Sequence, residues 1–127
     1  MSRFLWICLG GAAGTGARYL LSGWLLRVAG PGFPWGTLAA NVIGSFLLAV
    51  IVEASLATNL VPPALRLALT TGLMGGFTTY STFNYETLQY LQQSDWLPAA
   101  ANVAATVAGC LLAGTLGVFT GRLLAGS

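Results

Sequence analysis

The densest group of polar side chains lies inside an apolar stretch, between residues 70 and 84. Gly75 and Gly76 are followed there by an unbroken run of hydroxyl side chains, Thr78 to Thr82. Paired glycines weaken a helix, and carbonyls freed at such a point could coordinate a cation. The alternative is an intact helix in which the hydroxyls bond back to carbonyls one turn earlier.

A second polar group follows a helical spacing in the last apolar stretch. Asn102, Thr106 and Cys110 are four residues apart and would form one stripe. A line of small residues runs beside it: Ala101, Ala105, Gly109, Ala113, Gly117 and Gly121. Small residues at this spacing favour close helix contact. The polar stripe has two interpretations, hydrogen bonds between helices or a track that solvates an ion.

Isolated polar residues occur in the first two stretches and near the stretch ends. Arg18 lies near the middle of the first. A charge at that depth of a bilayer costs about 3 kcal/mol or more, so Arg18 must face protein or water. It could bond to carbonyls or form an electropositive element for an anion. Asn41 could join helices or line a pore, while Glu53 and Glu86 could be interfacial carboxylates.

The residue inventory limits the chemistry. The chain has no His, and Cys8 and Cys110 lie in apolar runs, so we expect no enzyme activity and no transition-metal site. A proton-coupled exporter of cationic drugs would need a deep carboxylate, which is absent from the middle of the stretches. Hydroxyls and amides donate hydrogen bonds, and aromatic edges carry partial positive charge. These groups favour a path for an unspecified anion.

The composition predicts that these groups are positioned by helices in a membrane. Only 6% of the 127 residues are charged, against about 25% in an ordinary soluble domain, and 56% are hydrophobic. The net charge of +2 is too small for a nucleic-acid partner. Four apolar stretches each exceed the ~20 residues that cross a bilayer as a helix. They cover residues 4–28, 35–57, 65–91 and 97–125.

The expected fold class is therefore an all-α integral membrane protein. We expect residues 1–127 to form a single domain with four transmembrane helices, the third broken near mid-membrane. Arg3, Arg66 and Arg122 would lie on the side of the termini and Arg27 on the other. This bias weakly favours termini inside the cell and leaves insertion in both orientations open.

Three segments together resemble one known family. Residues 10–19 (GGAAGTGARY), 34–41 (PWGTLAAN) and 75–83 (GGFTTYSTF), with Glu86, are similar to the corresponding segments of the Fluc (CrcB) fluoride channels. The resemblance covers essentially the whole chain, and the third segment is highly specific.

The resemblance implies a function and an assembly. Members of this family are antiparallel homodimers with dual topology, built from subunits inserted in both orientations in the lipid bilayer. They carry two pores through which fluoride leaves the microbial cell passively across the cytoplasmic (inner) membrane. A structural sodium ion lies at the dimer centre, and the matching backbone carbonyls here are those of Gly75 and Thr78.

The resemblance also implies site residues. Arg18 matches the family's first-helix arginine, and Glu86 matches the acidic residue near the pore mouth. Tyr80 stands where phenylalanine is usual, and Asn102 and Cys110 stand where hydroxyls are more common. The implied fluoride pore comprises Asn41, Tyr80, Ser81, Thr82, Phe83, Asn102, Thr106 and Cys110.

Two other functions fit the size of the chain. A small dual-topology multidrug exporter shares the length and span count, but its first span would carry a Glu rather than Arg18. A membrane scaffold without transport would explain the line of small residues but not the hydroxyl-rich third stretch.

Overall fold

The computed structural model describes residues 1–126, and that part of the chain is helical without strands. This confirms the all-α class. The elements in chain order are α1 (Ser2–Ala29), α2 (Trp35–Ala57), α3 (Pro63–Leu67), a π-helix (Ala68–Met74), α4 (Gly75–Phe77), α5 (Tyr80–Gln92) and α6 (Trp96–Leu124).

Helices α2 and α6 are long and apolar enough to cross a membrane. Helix α1 has a similar length of 28 residues. The third apolar stretch is divided among α3, the π-helix, α4 and α5. The chain therefore forms three long helices and one segmented one.

Helix α6 packs along α2 through the C-terminal half of the line of small residues. A Cβ atom added to Gly117 would strike the Phe46 carbonyl, and one added to Gly121 would lie 2.9 Å from the Val50 carbonyl oxygen. Arg122 Nε and Glu53 Oε2, 3.3 Å apart, join the same two helices. The packing interpretation of this line holds here, whereas Ala101 at its start is exposed.

Helix α1 packs against the π-helix and α4 through glycines. A Cβ on Gly10 would strike the Ala68 carbonyl, and a Cβ on Gly14 would strike the Leu73 carbonyl. Backbones can approach this closely only because neither glycine carries a side chain. This contact fixes the segmented helix against α1.

Gly14→Ala is expected to destabilise the protein, because its methyl group would meet the Leu73 carbonyl and lie 2.9 Å from Phe77 N. Overpacking of this kind costs about 1–3 kcal/mol. Gly16→Ala is the matched control, since a Cβ there meets nothing within 4 Å. Thermal unfolding in detergent should show a lower midpoint for Gly14→Ala alone. Equal midpoints would contradict this account of the contact.

Two consecutive residues between α4 and α5 have extended backbone angles. They are Thr78 (φ −87°, ψ 158°) and Thr79 (φ −154°, ψ 117°). The expected weak point was Gly75–Gly76, but these glycines remain helical within α4. Helix α4 ends at Phe77, and α5 begins after Thr79, whose hydroxyl oxygen accepts from Thr82 N (3.3 Å) and caps that helix.

Candidate functional site

Asn41 of α2 binds both backbone groups of Thr79. Its Nδ2 group donates to the Thr79 carbonyl oxygen (3.0 Å), and its Oδ1 atom accepts from Thr79 N (2.8 Å). Asn41 is buried. Its amide therefore stands in for the helix partners that the extended Thr79 has lost. Of the two interpretations of Asn41, this contact matches the one that joins helices.

The same contact changes the bonding of carbonyls in α4. In a continuous helix, Thr79 N would donate to the Gly75 carbonyl, but here it donates to Asn41. The Gly76 carbonyl instead receives donors from α1, namely Arg18 Nε (3.3 Å) and Thr15 Oγ1 (3.5 Å). This contact matches the first interpretation of Arg18, a bond to backbone carbonyls.

Several hydroxyls do bond back to the preceding turn. Thr70 Oγ1 donates to the Arg66 carbonyl (2.8 Å), and Thr78 Oγ1 donates to the Met74 carbonyl (2.9 Å). Thr70 and Thr78 therefore match the second interpretation of the hydroxyl cluster, in which hydroxyls bond to carbonyls one turn earlier. Thr79 does not follow it, since its hydroxyl donates forward to Thr82 Oγ1 (3.0 Å).

The two aromatic candidates face each other edge to face, with ring centroids 5.7 Å apart and planes at 67°. Phe83 is 7% exposed, whereas Tyr80 is 76% exposed. Ser81 and Thr82 are also exposed at the start of α5. The single chain therefore buries Phe83 and leaves the other three α5 candidates on its surface.

The α6 stripe meets α5 one turn after Phe83. Asn102 Nδ2 donates to Thr87 Oγ1 (3.0 Å), and Thr87 Oγ1 donates to the Phe83 carbonyl (2.9 Å). Thr106 is buried, and within residues 1–126 its Oγ1 atom has no hydrogen-bond partner. Cys110, one turn further along, is half-buried. The stripe thus combines an amide bonded between helices with a buried hydroxyl that has no partner among the described residues.

Glu86 lies beside a cavity of 570 Å³ between the α1–α2 loop and the end of α5. Its Oε2 atom accepts from Thr37 Oγ1 (3.0 Å). Its Oε1 atom is buried and has no hydrogen-bond partner among the described residues. Tyr90, which also lines the cavity, donates its hydroxyl to the Gly32 carbonyl (3.1 Å). Glu86 is thus part of the cavity wall rather than a freely exposed interfacial carboxylate.

Thr37 and Thr87 were missed by the sequence analysis. Thr37 precedes Asn41 by one helical turn, and Thr87 follows Phe83 by one turn. That spacing was a usable signal, because residues four apart share a helix face. Their specific partners, Glu86 and Asn102, depend on how the helices pack.

The site can offer neutral donors to an anion and carbonyl oxygens to a cation. The donors are amides and hydroxyls on α2, α5 and α6, and the Phe83 ring on α5 is buried. Residues 1–126 contain no cluster of three or more His, Cys, Asp or Glu side chains that could hold a metal. Backbone carbonyl oxygens such as that of Gly75 are uncharged cation ligands, and they fit a monovalent ion.

Comparison with known proteins gives consistent matches over nearly the full length. The sequence profile described as "CrcB-like protein, Camphor Resistance (CrcB)" matches residues 5–118. A bacterial relative from Anaeromyxobacter sp. (strain K), named "Fluoride-specific ion channel FluC", is 59% identical over 126 residues, which are 99% of this chain and 100% of the relative. Proteins of the same name from Sorangium cellulosum (strain So ce56) and Geobacter sulfurreducens (strain ATCC 51573 / DSM 12127 / PCA) are 57% and 50% identical, covering 99% and 98% of this chain and 100% of each relative. With its apolar helices, the chain is a bacterial membrane protein, and it belongs to the CrcB family.

Proposed function

We propose that this protein is a fluoride-selective channel through which fluoride leaves the bacterial cell passively across the cytoplasmic membrane. The observation that carries the proposal is 59% identity, over 99% of the chain, to a relative named as a fluoride-specific ion channel. The neutral donors around Phe83 support it, because an anion path needs donors rather than carboxylates. The proposed transport needs no energy source, because fluoride would move down its own concentration gradient.

Fluoride is small and strongly hydrated, so the pore must replace its water shell with donors. Thr106 is the strongest candidate for a residue that donates a hydrogen bond to fluoride. An unpaired buried hydroxyl costs about 1–3 kcal/mol, and a fluoride ion passing Thr106 Oγ1 would satisfy it. Asn102 supplies N–H groups one turn away, and the edge of the Phe83 ring adds partial positive charge. Cys110 continues the same stripe.

The direct test is fluoride efflux from liposomes that contain the purified protein. We expect rapid fluoride release and little chloride release under the same gradient. Liposomes loaded with a cationic dye and given a proton gradient test the alternative, a multidrug exporter. Dye transport without fluoride release would overturn the channel proposal.

The functional unit in this proposal is an antiparallel homodimer of subunits inserted in both orientations. It is supported by the polar residues that the single chain leaves exposed at the start of α5, Tyr80, Ser81 and Thr82. A second copy would cover them and remove them from lipid. Crosslinking in mild detergent should trap dimers, and a C-terminal reporter should respond on both sides of the membrane. Active monomers, or strictly one-sided labelling, would contradict the assembly.

A structural sodium ion is part of the same proposal, bound by the Gly75 and Thr78 carbonyls of both subunits. The Gly75 carbonyl supports this, because its helical partner Thr79 N is engaged by Asn41. When bound, the ion would hold four carbonyl dipoles together at the dimer centre. Flux is expected to fall to background when sodium is replaced on both sides by N-methylglucamine. Full flux without sodium would count against an essential site.

A bulky residue at Gly75 offers a second measurement of this site. A Cβ atom there has only the Thr70 carbonyl oxygen nearby, at 3.8 Å, so the single chain has room for a side chain. We therefore expect Gly75→Val to leave the chain folded but to disrupt the dimer and its flux. Wild-type dimer content and flux in Gly75→Val would contradict the placement of Gly75 at the dimer centre.

A further inference from the structure

We infer that Thr87 is a positioning residue that orients the Asn102 amide so that its nitrogen, rather than its oxygen, faces the Phe83 side of the ion path. This inference rests on the proposed fluoride channel. It concerns a residue that does not belong to the polar stripe, and it acts through Asn102 instead of touching the ion.

The geometry begins with the Thr87 hydroxyl. Its Oγ1 atom lies 2.9 Å from the Phe83 carbonyl oxygen, one turn earlier in α5. A carbonyl oxygen only accepts, so the single hydroxyl proton of Thr87 must be donated to it. The Thr87 oxygen is then left with acceptor capacity alone.

The next step concerns Asn102, which lies 3.0 Å from that oxygen and is 1% exposed. An amide presents an NH₂ donor on one side and an oxygen acceptor on the other. Because Thr87 Oγ1 can only accept, the Asn102 atom next to it must be Nδ2 and not Oδ1. The hydroxyl therefore decides between two amide orientations that have nearly the same shape.

The orientation matters because the two ends of the amide have opposite effects on an anion. With Nδ2 bonded to Thr87 Oγ1, its second N–H remains on the α5 side of the amide, beside Thr87 and one turn from Phe83. In the flipped orientation an oxygen lone pair would point there and repel the anion. Thr87 thus links the buried aromatic residue, through its backbone, to the amide of the stripe.

The test compares fluoride efflux from liposomes for wild type, Thr87→Val and Thr87→Ser. Valine has a similar shape but no hydroxyl, whereas serine restores it. We expect Thr87→Val to lower the fluoride rate about fivefold to tenfold and Thr87→Ser to recover most of it. Thr115→Val is the matched control, because Thr115 Oγ1 also bonds back one turn, to the Leu111 carbonyl (2.7 Å), but on an exposed face of α6. It is expected to leave the rate unchanged.

A double-mutant cycle with Asn102→Ala separates positioning from packing. If Thr87 acts through Asn102, Thr87→Val should have little further effect on fluoride rate or on fluoride-over-chloride selectivity in the Asn102→Ala background. Additive losses, or a Thr87→Val rate equal to wild type while wild type conducts fluoride, would overturn the inference alone. A wild-type chain that carries no fluoride would overturn the proposed function and this inference together.

Discussion

Asn41→Leu is expected to abolish fluoride flux and also to lower the thermal stability of the protein. Leucine has a similar volume but can bond neither Thr79 N nor the Thr79 carbonyl, which Asn41 now holds at 2.8 Å and 3.0 Å. Each buried backbone group left unpaired costs about 1–3 kcal/mol. Thermal unfolding in detergent and efflux from liposomes measure the two effects separately.

The pair of measurements distinguishes two roles for Asn41. A residue that only donates to fluoride would lose flux on mutation to leucine with its unfolding midpoint unchanged. A residue that holds Thr79 would lose both. Asn41→Asp adds a second comparison, because a carboxylate can accept from Thr79 N but has no donor for the Thr79 carbonyl. Asn59→Leu, at an exposed loop position, is the control and should change neither quantity.

Phe83→Ile is expected to reduce fluoride flux by about tenfold or more while the dimer survives. Isoleucine keeps an apolar group at this buried position but removes the ring quadrupole, whose positive edge would solvate the ion. A lost contact of about 1.4 kcal/mol corresponds to a factor of ten. Efflux from liposomes measures the rate, and size-exclusion chromatography checks the dimer.

Tyr80→Phe is the comparison for the same ring pair. The two rings lie edge to face at 5.7 Å, and phenylalanine preserves this arrangement while removing only the hydroxyl. We expect transport to persist in Tyr80→Phe. A wild-type rate in Phe83→Ile would show that the ring is packing alone and would remove the aromatic part of the mechanism. Loss of flux in Tyr80→Phe would instead assign a direct role to its hydroxyl.

The sequence determined the helical class and the approximate extent of the helices. Eight charged residues among 127 are too few to cover a water-exposed surface. Long apolar stretches with small-residue spacing favour packed helices. The segment at residues 75–83 was specific enough to indicate the family through its resemblance to the Fluc (CrcB) channels. The helical class is a local feature that periodicity and composition were sufficient to find, whereas the family was indicated by resemblance.

The tertiary structure decided how the polar residues are paired. The sequence placed the weak point at Gly75–Gly76, but the extended residues are Thr78 and Thr79, because Asn41 from another helix replaces the lost backbone partners of Thr79. Likewise, spacing grouped Asn102 with Thr106, yet only the packing of α5 on α6 gives Asn102 a partner in Thr87, while Thr106 Oγ1 has none within residues 1–126. A hydrogen bond between helices depends on their relative rotation and depth, and neither is encoded in the periodicity of a single helix.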